Sequence, residues 1–276
     1  MNLKDNYRKD GFVIIKNILS SKDVEKLKNS IKLLKVGLKV PFSNEAWGYG
    51  NCVELKEFKV ITENSKINSA VKEVLTDTHL FNHLMVNRKP PWIGPEVEYH
   101  QEIFNSKTYA PGASIDDLKK NWCQVYIPLH SETADNGGLR IVTNSHLLGE
   151  LESEDMVNQN YSHKRRLPTK ELSRITSDQN CNLIDLNLNI GDCVLFSHFL
   201  VHGSPSNGSA NERISLVLQA RSDKFTPDEN VFDLETSYRH YFLLNSLEGK
   251  VSEMTSKGAA WYSGFKKSIS ENKSPK

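Results

Sequence analysis

The strongest constraint on this chain is a change of hydrophobic period near residue 78. Before it, Val24, Leu27, Ile31 and Leu34 follow the spacing of one helix face, with Ser20 or Ser21 placed to cap that helix. A second helix is expected over 67–75, and an opening strand over 11–16, rich in β-branched residues. After residue 78, apolar and polar residues alternate, the period of a pleated strand. Strands are expected over 79–89, 97–104, 122–130, 138–142, 182–188, 192–202 and 212–220, separated by Gly, Pro, Asn and Asp. So many short strands between turn residues point to a mainly β jelly roll or sandwich with flanking α-helices. A single domain over 1–276 is expected: a helical flank over 1–77, a jelly-roll core over 78–222, and a helical tail over 226–268. The polar stretch 147–181 reads as an insertion, either a functional lid or a disordered segment.

Two short patterns in these strands carry chemistry. His100-Gln101-Glu102 lies in an expected strand, where residues two apart face the same way. An imidazole beside a carboxylate is two-thirds of the 2-His-1-carboxylate triad that binds iron(II) and leaves positions open for other ligands. Alone, such a pair also fits a solvated strand face. The second pattern changes the balance: His202 ends an apolar strand, and Arg213-Ile214-Ser215 opens the next one. If those two strands are antiparallel neighbours, about 4.8 Å apart, Arg213 lies a short ligand's length from the metal. A dicarboxylate chelating the metal through a keto-acid end could then reach the guanidinium, whose planar fork grips a carboxylate. Ser215 faces the same way and adds a hydroxyl. The plainer alternative is a core histidine with a surface arginine at a hairpin.

Charge and cysteine usage exclude other classes. With 35 basic and 34 acidic residues, net charge +1, nothing in the balance points to nucleic acid. Cys52, Cys123, Cys181 and Cys193 form no CxxC pair, which argues against a zinc knuckle or a thioredoxin-like site. No run approaches the roughly 18 apolar residues of a membrane span, and the first residues lack the apolar stretch of a signal peptide. A soluble, reduced, cytoplasmic protein is expected, with the sequons at Asn160 and Asn207 as chance matches. Oligomeric state is not legible.

Five segments in order, DGFVIIKNILS, NRKPPWIGPEVEYHQE, ADNGGLRIVTNSH, GDCVLFSHFLVHGS and ERISL, resemble the phytanoyl-CoA dioxygenase family of 2-oxoglutarate oxygenases. The resemblance runs from about residue 9 to residue 221. It implies a double-stranded β-helix core of the cupin-like type, with iron(II), O2 and 2-oxoglutarate as co-substrate. The implied reaction couples oxidation of a small-molecule substrate, hydroxylation being the expected outcome, to release of succinate and carbon dioxide. It implies metal ligation by His100, Glu102 and His202, and co-substrate binding by Arg213 and Ser215. Tyr126 falls where relatives carry an aromatic touching the co-substrate; the alternative is a barrel-lining ring with a packing role. One departure stands out: the family usually has Asp where this chain has Glu102, an arm longer by about 1.5 Å. A halogenating relative would carry a small residue there, so Glu102 favours oxygenation.

Other residues are weaker candidates. Asn87, Lys89 and Gln124 share strand faces with the site and could approach co-substrate or substrate, or simply end a solvated strand. His163-Lys164-Arg165-Arg166 in the insertion reads first as a solvated charge run; over a site mouth, Arg165 and Arg166 could instead recognise an anionic substrate. His146 is expected to buttress its Asn-Ser-His turn, His79 and His83 to be structural, and His198, His130 and His240 to be no ligands. The competing functional readings are a cupin-like hydrolase or isomerase that ignores 2-oxoglutarate, and a non-catalytic small-molecule binding protein.

Overall fold

The computed structural model describes residues 2–34, 38–39, 46–49, 52–53, 55–103, 113–155 and 165–223. The helical tail expected over 226–268, His163, Lys164, His240 and the sequon at Asn160 lie outside these residues.

The chain begins with α1 (Leu3–Asp10), β1 (Phe12–Ile15) and α2 (Ser21–Lys32). Ser20 caps α2 by accepting from the Asp23 amide, and Val24, Leu27 and Ile31 are its buried face. Helix α1 has no apolar stripe to announce it; it ends at Gly11, whose φ of 78° lets its amide return to the Tyr7 carbonyl. Then come β2 (Leu38–Lys39), β3 (Ala46–Tyr49), α3 (Lys59–Thr62) and α4 (Ser65–Leu75), the last capped by Asn64. The β core follows as β4 (His79–Lys89), β5 (Val97–His100), α5 (Ile115–Asn121), β6 (Trp122–Pro128) and β7 (Arg140–Val142). A small ribbon, β8 (Glu154–Asp155) and β9 (Arg165–Arg166), leads to α6 (Thr169–Thr176). The described chain closes with β10 (Leu183–Asp185), β11 (Cys193–Phe196), β12 (His202–Ser204) and β13 (Arg213–Ser222).

The strands form a seven-stranded sheet, β1-β11-β6-β13-β4-β3-β2, and a four-stranded sheet, β10-β7-β12-β5. Every pairing is antiparallel. Alternation decides what each face of the large sheet meets. Leu84, Val86, Val125, Ile127, Leu216 and Leu218 point outward and form one core with α2 and α4. Tyr126, Val194 and Phe196 point inward and pack on Leu139, Ile141 and Leu200 from the side of the second sheet. The result is the mainly β, jelly-roll architecture with flanking helices that the alternating pattern predicts.

Several expectations need correction. The run 192–202 is not one strand: β11 stops at Phe196, and Ser197–Val201 cross to the other sheet. The crossing is pinned by bonds from the Leu200 amide to the Ser197 carbonyl and from the Val201 amide to Ser145 Oγ. His202 therefore opens β12 rather than ending a strand. Consequently β12 and β13 are not neighbours; β12 pairs with β5 and β7, while β13 pairs with β4 and β6. The run 97–104 is also shorter, since β5 ends at His100. The insertion 147–181 contains the β8–β9 ribbon and α6, so its described part is not structureless. All four cysteines are buried, and none of them is in a disulfide.

Candidate metal centre

His100 and His202 face each other across the β5–β12 pair, being direct register partners. Glu102, two residues beyond His100, turns its carboxylate to both: Oε1 lies 3.4 Å from His100 Nε2 and 3.6 Å from His202 Nε2. Because β5 has ended, a turn rather than the pleat makes Glu102 converge. Gln101 fixes that turn by donating to the carbonyls of Gly149 and Phe199 and accepting from the Leu151 amide.

The tautomers follow from the outer contacts. His100 Nδ1 sits 2.6 Å from the Glu98 carbonyl and His202 Nδ1 3.0 Å from the Leu200 carbonyl. A carbonyl only accepts, so each Nδ1 carries the proton and each Nε2 presents a lone pair inward. Burial, with His100 next, holds His202 below the usual imidazole value, which preserves that lone pair. Two imidazole Nε2 atoms and a carboxylate therefore converge, all three residues at most 6% exposed. Three inward-facing acceptors in a buried site are what a cation fits. Their ligand atoms lie within 4.8 Å of one another, and no other His, Cys, Asp or Glu among the described residues joins the group. His198 stays outside it: burial pushes its imidazole down to about 4, and its ring packs near Trp122.

The inner face of the large sheet supplies a second cluster. Arg213, 2% exposed, donates through Nη1 to Ser215 Oγ (2.6 Å) and Tyr126 Oη (3.1 Å), and through Nη2 to the Gly137 carbonyl (2.7 Å). Its Nε has no hydrogen-bond partner among the described residues and lies 3.8 Å from Glu132 Oε1. Arg213 comes from across the sandwich, not from a strand beside His202. Lys89 is its register partner and is equally buried; Nζ donates to the carbonyls of Ser204 and Pro205. Burial and the neighbouring Arg213 hold the Lys89 ammonium well below its ordinary value. Gly137 must be glycine: φ is 78°, and a Cβ would stand 2.6 Å from the Pro205 carbonyl and 2.7 Å from Lys89 Cδ.

Asn87, opposite Ser215, and Gln124, opposite Gln219, share this inner face, and Asn87 Oδ1 and Gln124 Oε1 have no hydrogen-bond partner among the described residues. Orphaned buried polar atoms on an inner face fit a polar ligand. Arg165 and Arg166 sit elsewhere, on the ribbon: Arg166 pairs with Glu98 and Glu154, and Arg165 with Asp155. His146, expected to buttress its own turn, instead ties that turn to α1, its Nε2 meeting the Arg8 carbonyl while its ring fills the space beside Gly11. His130 takes the Ile214 amide.

Sequence reasoning missed Glu132. It is 2% exposed, accepts from Tyr126 Oη (2.7 Å) and the Leu139 amide (3.2 Å), and faces Arg213. In Ser-Glu-Thr-Ala-Asp-Asn it reads as an ordinary polar turn. The only signal was Asn136, whose side chain closes that turn onto Ser131 and Thr133.

A family model described as phytanoyl-CoA dioxygenase matches residues 7–215. No curated protein matches the chain significantly in sequence. Among solved structures, EctD from S. alaskensis in its apoform is similar at a TM-score of 0.66 and 16% identity, over 82% of this chain and 78% of that one. The non-heme alpha ketoglutarate dependent epimerase SnoN from nogalamycin biosynthesis is similar at a TM-score of 0.59 and 14% identity, over 80% and 82%. The non-heme monooxygenase ThoJ is similar at a TM-score of 0.63 and 16% identity, over 90% and 100%. At such identities the likeness establishes the shared fold.

Proposed function

The chain belongs to the phytanoyl-CoA dioxygenase family and is thus an iron(II)- and 2-oxoglutarate-dependent oxygenase, and from that premise we propose that it hydroxylates a small molecule, with iron on His100, Glu102 and His202. The observation that carries this is the convergence of two imidazole Nε2 atoms and one carboxylate in a buried site. Iron held there supplies oxygen activation coupled to decarboxylation of 2-oxoglutarate to succinate and carbon dioxide.

The protein's own part is binding and exclusion of water. Arg213 and Ser215 take the far carboxylate of 2-oxoglutarate, a role supported by the buried, incompletely bonded guanidinium. Asn87 and Gln124 offer unpaired amide oxygens on the same face, Lys89 adds a second buried basic group, and Tyr126 lies on that face beside Arg213. Glu102 retains the carboxylate that a halogenating site would lack, which favours hydroxylation. A substrate role for Arg165 or Arg166 would require an anion to displace Asp155, Glu98 or Glu154. One domain is supported by a family match that spans the helical flank and both sheets. Among the described residues no helix is long and apolar enough to cross a membrane, and four buried thiols outside any disulfide favour a reducing, cytoplasmic setting.

The test is succinate release from 2-oxoglutarate with ferrous iron and a panel of small-molecule candidates. Succinate formed only when both are present supports the proposal. Turnover of any candidate without 2-oxoglutarate points to a hydrolase or isomerase on the same barrel, and binding without turnover to a binding protein.

A further inference from the structure

Glu132 is a buried carboxylate placed against the guanidinium that the proposed function gives to 2-oxoglutarate. Three Arg213 N–H donors go to Tyr126, Ser215 and Gly137, and the unpartnered Nε faces Glu132 Oε1 at 3.8 Å. Tyr126 joins the two, accepting from Arg213 and donating to Glu132 at 2.7 Å. The Tyr126 hydrogen is thereby committed to Glu132. The turn that carries Glu132 is closed by Asn136 and fixed by bonds from the Leu139 amide to Glu132 and from the Glu132 amide to the Leu188 carbonyl. The carboxylate is built in, as firmly as the arginine.

From this geometry we propose that Glu132 is a positioning residue that sets co-substrate affinity: it aligns Arg213 before 2-oxoglutarate binds, then shares the guanidinium with the incoming carboxylate. The inference rests on the proposed role of Arg213. Two carboxylates close to one guanidinium repel, so the charge on Glu132 opposes 2-oxoglutarate while its hydrogen bonds hold the pocket in shape. The titratable and charged groups facing Glu132 are Arg213 from β13, Tyr126 from β6 and Lys89 from β4. Burial raises the Glu132 carboxyl above its ordinary value against the opposing pull of Arg213, Tyr126, the Leu139 amide and Lys89. A second carboxylate raises it further, so binding takes up a proton and affinity falls as pH rises through that range.

The test is calorimetric titration of 2-oxoglutarate into the manganese(II)-loaded full chain from about pH 5.5 to about pH 8.5, for wild type, Glu132→Gln and Arg213→Ala. Gln keeps an acceptor for Tyr126 and removes the charge. The wild-type Kd is expected to rise about tenfold across the range, while Glu132→Gln binds about tenfold tighter at the alkaline end with a flat profile. 2-Oxopentanoate, which chelates metal equally but lacks the far carboxylate, is expected to lack the Glu132-dependent slope; titration of the metal ligands affects both acids alike and cancels. Unchanged or weaker binding by Glu132→Gln, with the wild-type slope, overturns the proposal. Should Glu132→Gln not fold, equal slopes for the two acids on wild type overturn it as well. Equal 2-oxoglutarate affinity in wild type and Arg213→Ala instead overturns the role of Arg213 on which the inference rests.

Discussion

Glu102 reaches two imidazoles with an arm one methylene longer than the aspartate usual in the family. Its Oε1 stands 3.4 and 3.6 Å from the two Nε2 atoms, while cis donors about 2.1 Å from one ion sit about 3 Å apart. The longer arm already brings the carboxylate to within a few tenths of an ångström of that spacing, so Glu102→Asp is expected to withdraw it. Iron affinity should fall about tenfold in Glu102→Asp and more than about hundredfold in Glu102→Ala, read by competition with a chelator of known affinity. A tighter Glu102→Asp variant would mean that the glutamate is a poor ligand here. At this scale the sequence was informative wherever chemistry left a spacing. His100-x-Glu102 and Arg213-x-Ser215 are pairs two residues apart, and the structure brings each together, the second by the pleat of β13 and the first by the turn that follows β5. Glu132 left no spacing. A charged residue in a polar turn is exposed by default, and its burial comes with Arg213, which is distant in sequence, and with Tyr126 on the preceding strand, whose hydroxyl no local pattern aims at the turn.

Between elements, the sequence pattern was reliable for strands that alternate and weak where a strand is apolar on both faces. Strand β4 matches its expected bounds, 79–89, because its outward residues Leu84 and Val86 alternate with the inward His83, Met85 and Asn87. The run 192–202 reads as one strand because every residue in it except Asp192, Ser197, His198 and His202 is apolar. The break at Ser197 depends on bonds to Gly11 and Ser145, which no local pattern reports. The loop joining β12 to β13 shows the same dependence. Asn207, read as a chance sequon, is fully buried; its amide donates to the carbonyls of Lys89, Pro90 and Asn211, and its oxygen accepts from Ser209. It thus ties the end of β4, and with it Lys89, to the approach of β13. Asn207→Ala leaves those carbonyls without their donor and is expected to destabilise the fold by about 3 kcal/mol, seen as a lower urea midpoint with unchanged slope. A loss below about 0.5 kcal/mol would show that the loop is held by other contacts.

At the scale of the molecule, the large sheet presents one face to the helix-covered core and the other to the second sheet, and the N-terminal segment closes one edge. Strand β1 pairs along its full length with β11, and Lys16 adds a bond to Asp192. Removing residues 2–16 uncovers that edge of β11 together with the seat of α1 on α4. Exposed edges template association, so the truncated chain is expected to run at higher mass than the full chain in light scattering; an identical mass with an unchanged unfolding midpoint would show that β1 is dispensable. The shared fold of EctD, SnoN and ThoJ, at 14–16% identity with this chain, includes an epimerase and a monooxygenase, so substrate and outcome rest on the lining of the pocket and not on the architecture. What all of this turns on is whether three ligands and one arginine act on the same pair of small partners. The direct measurement is anaerobic titration of 2-oxoglutarate into the ferrous protein, for wild type, His202→Ala and Arg213→Ala. Wild type should take up one equivalent in an iron-dependent manner, His202→Ala should lose the iron dependence, and Arg213→Ala should keep its iron while binding about hundredfold more weakly. Undiminished binding in Arg213→Ala, or iron-dependent binding that survives His202→Ala, would contradict the assignment.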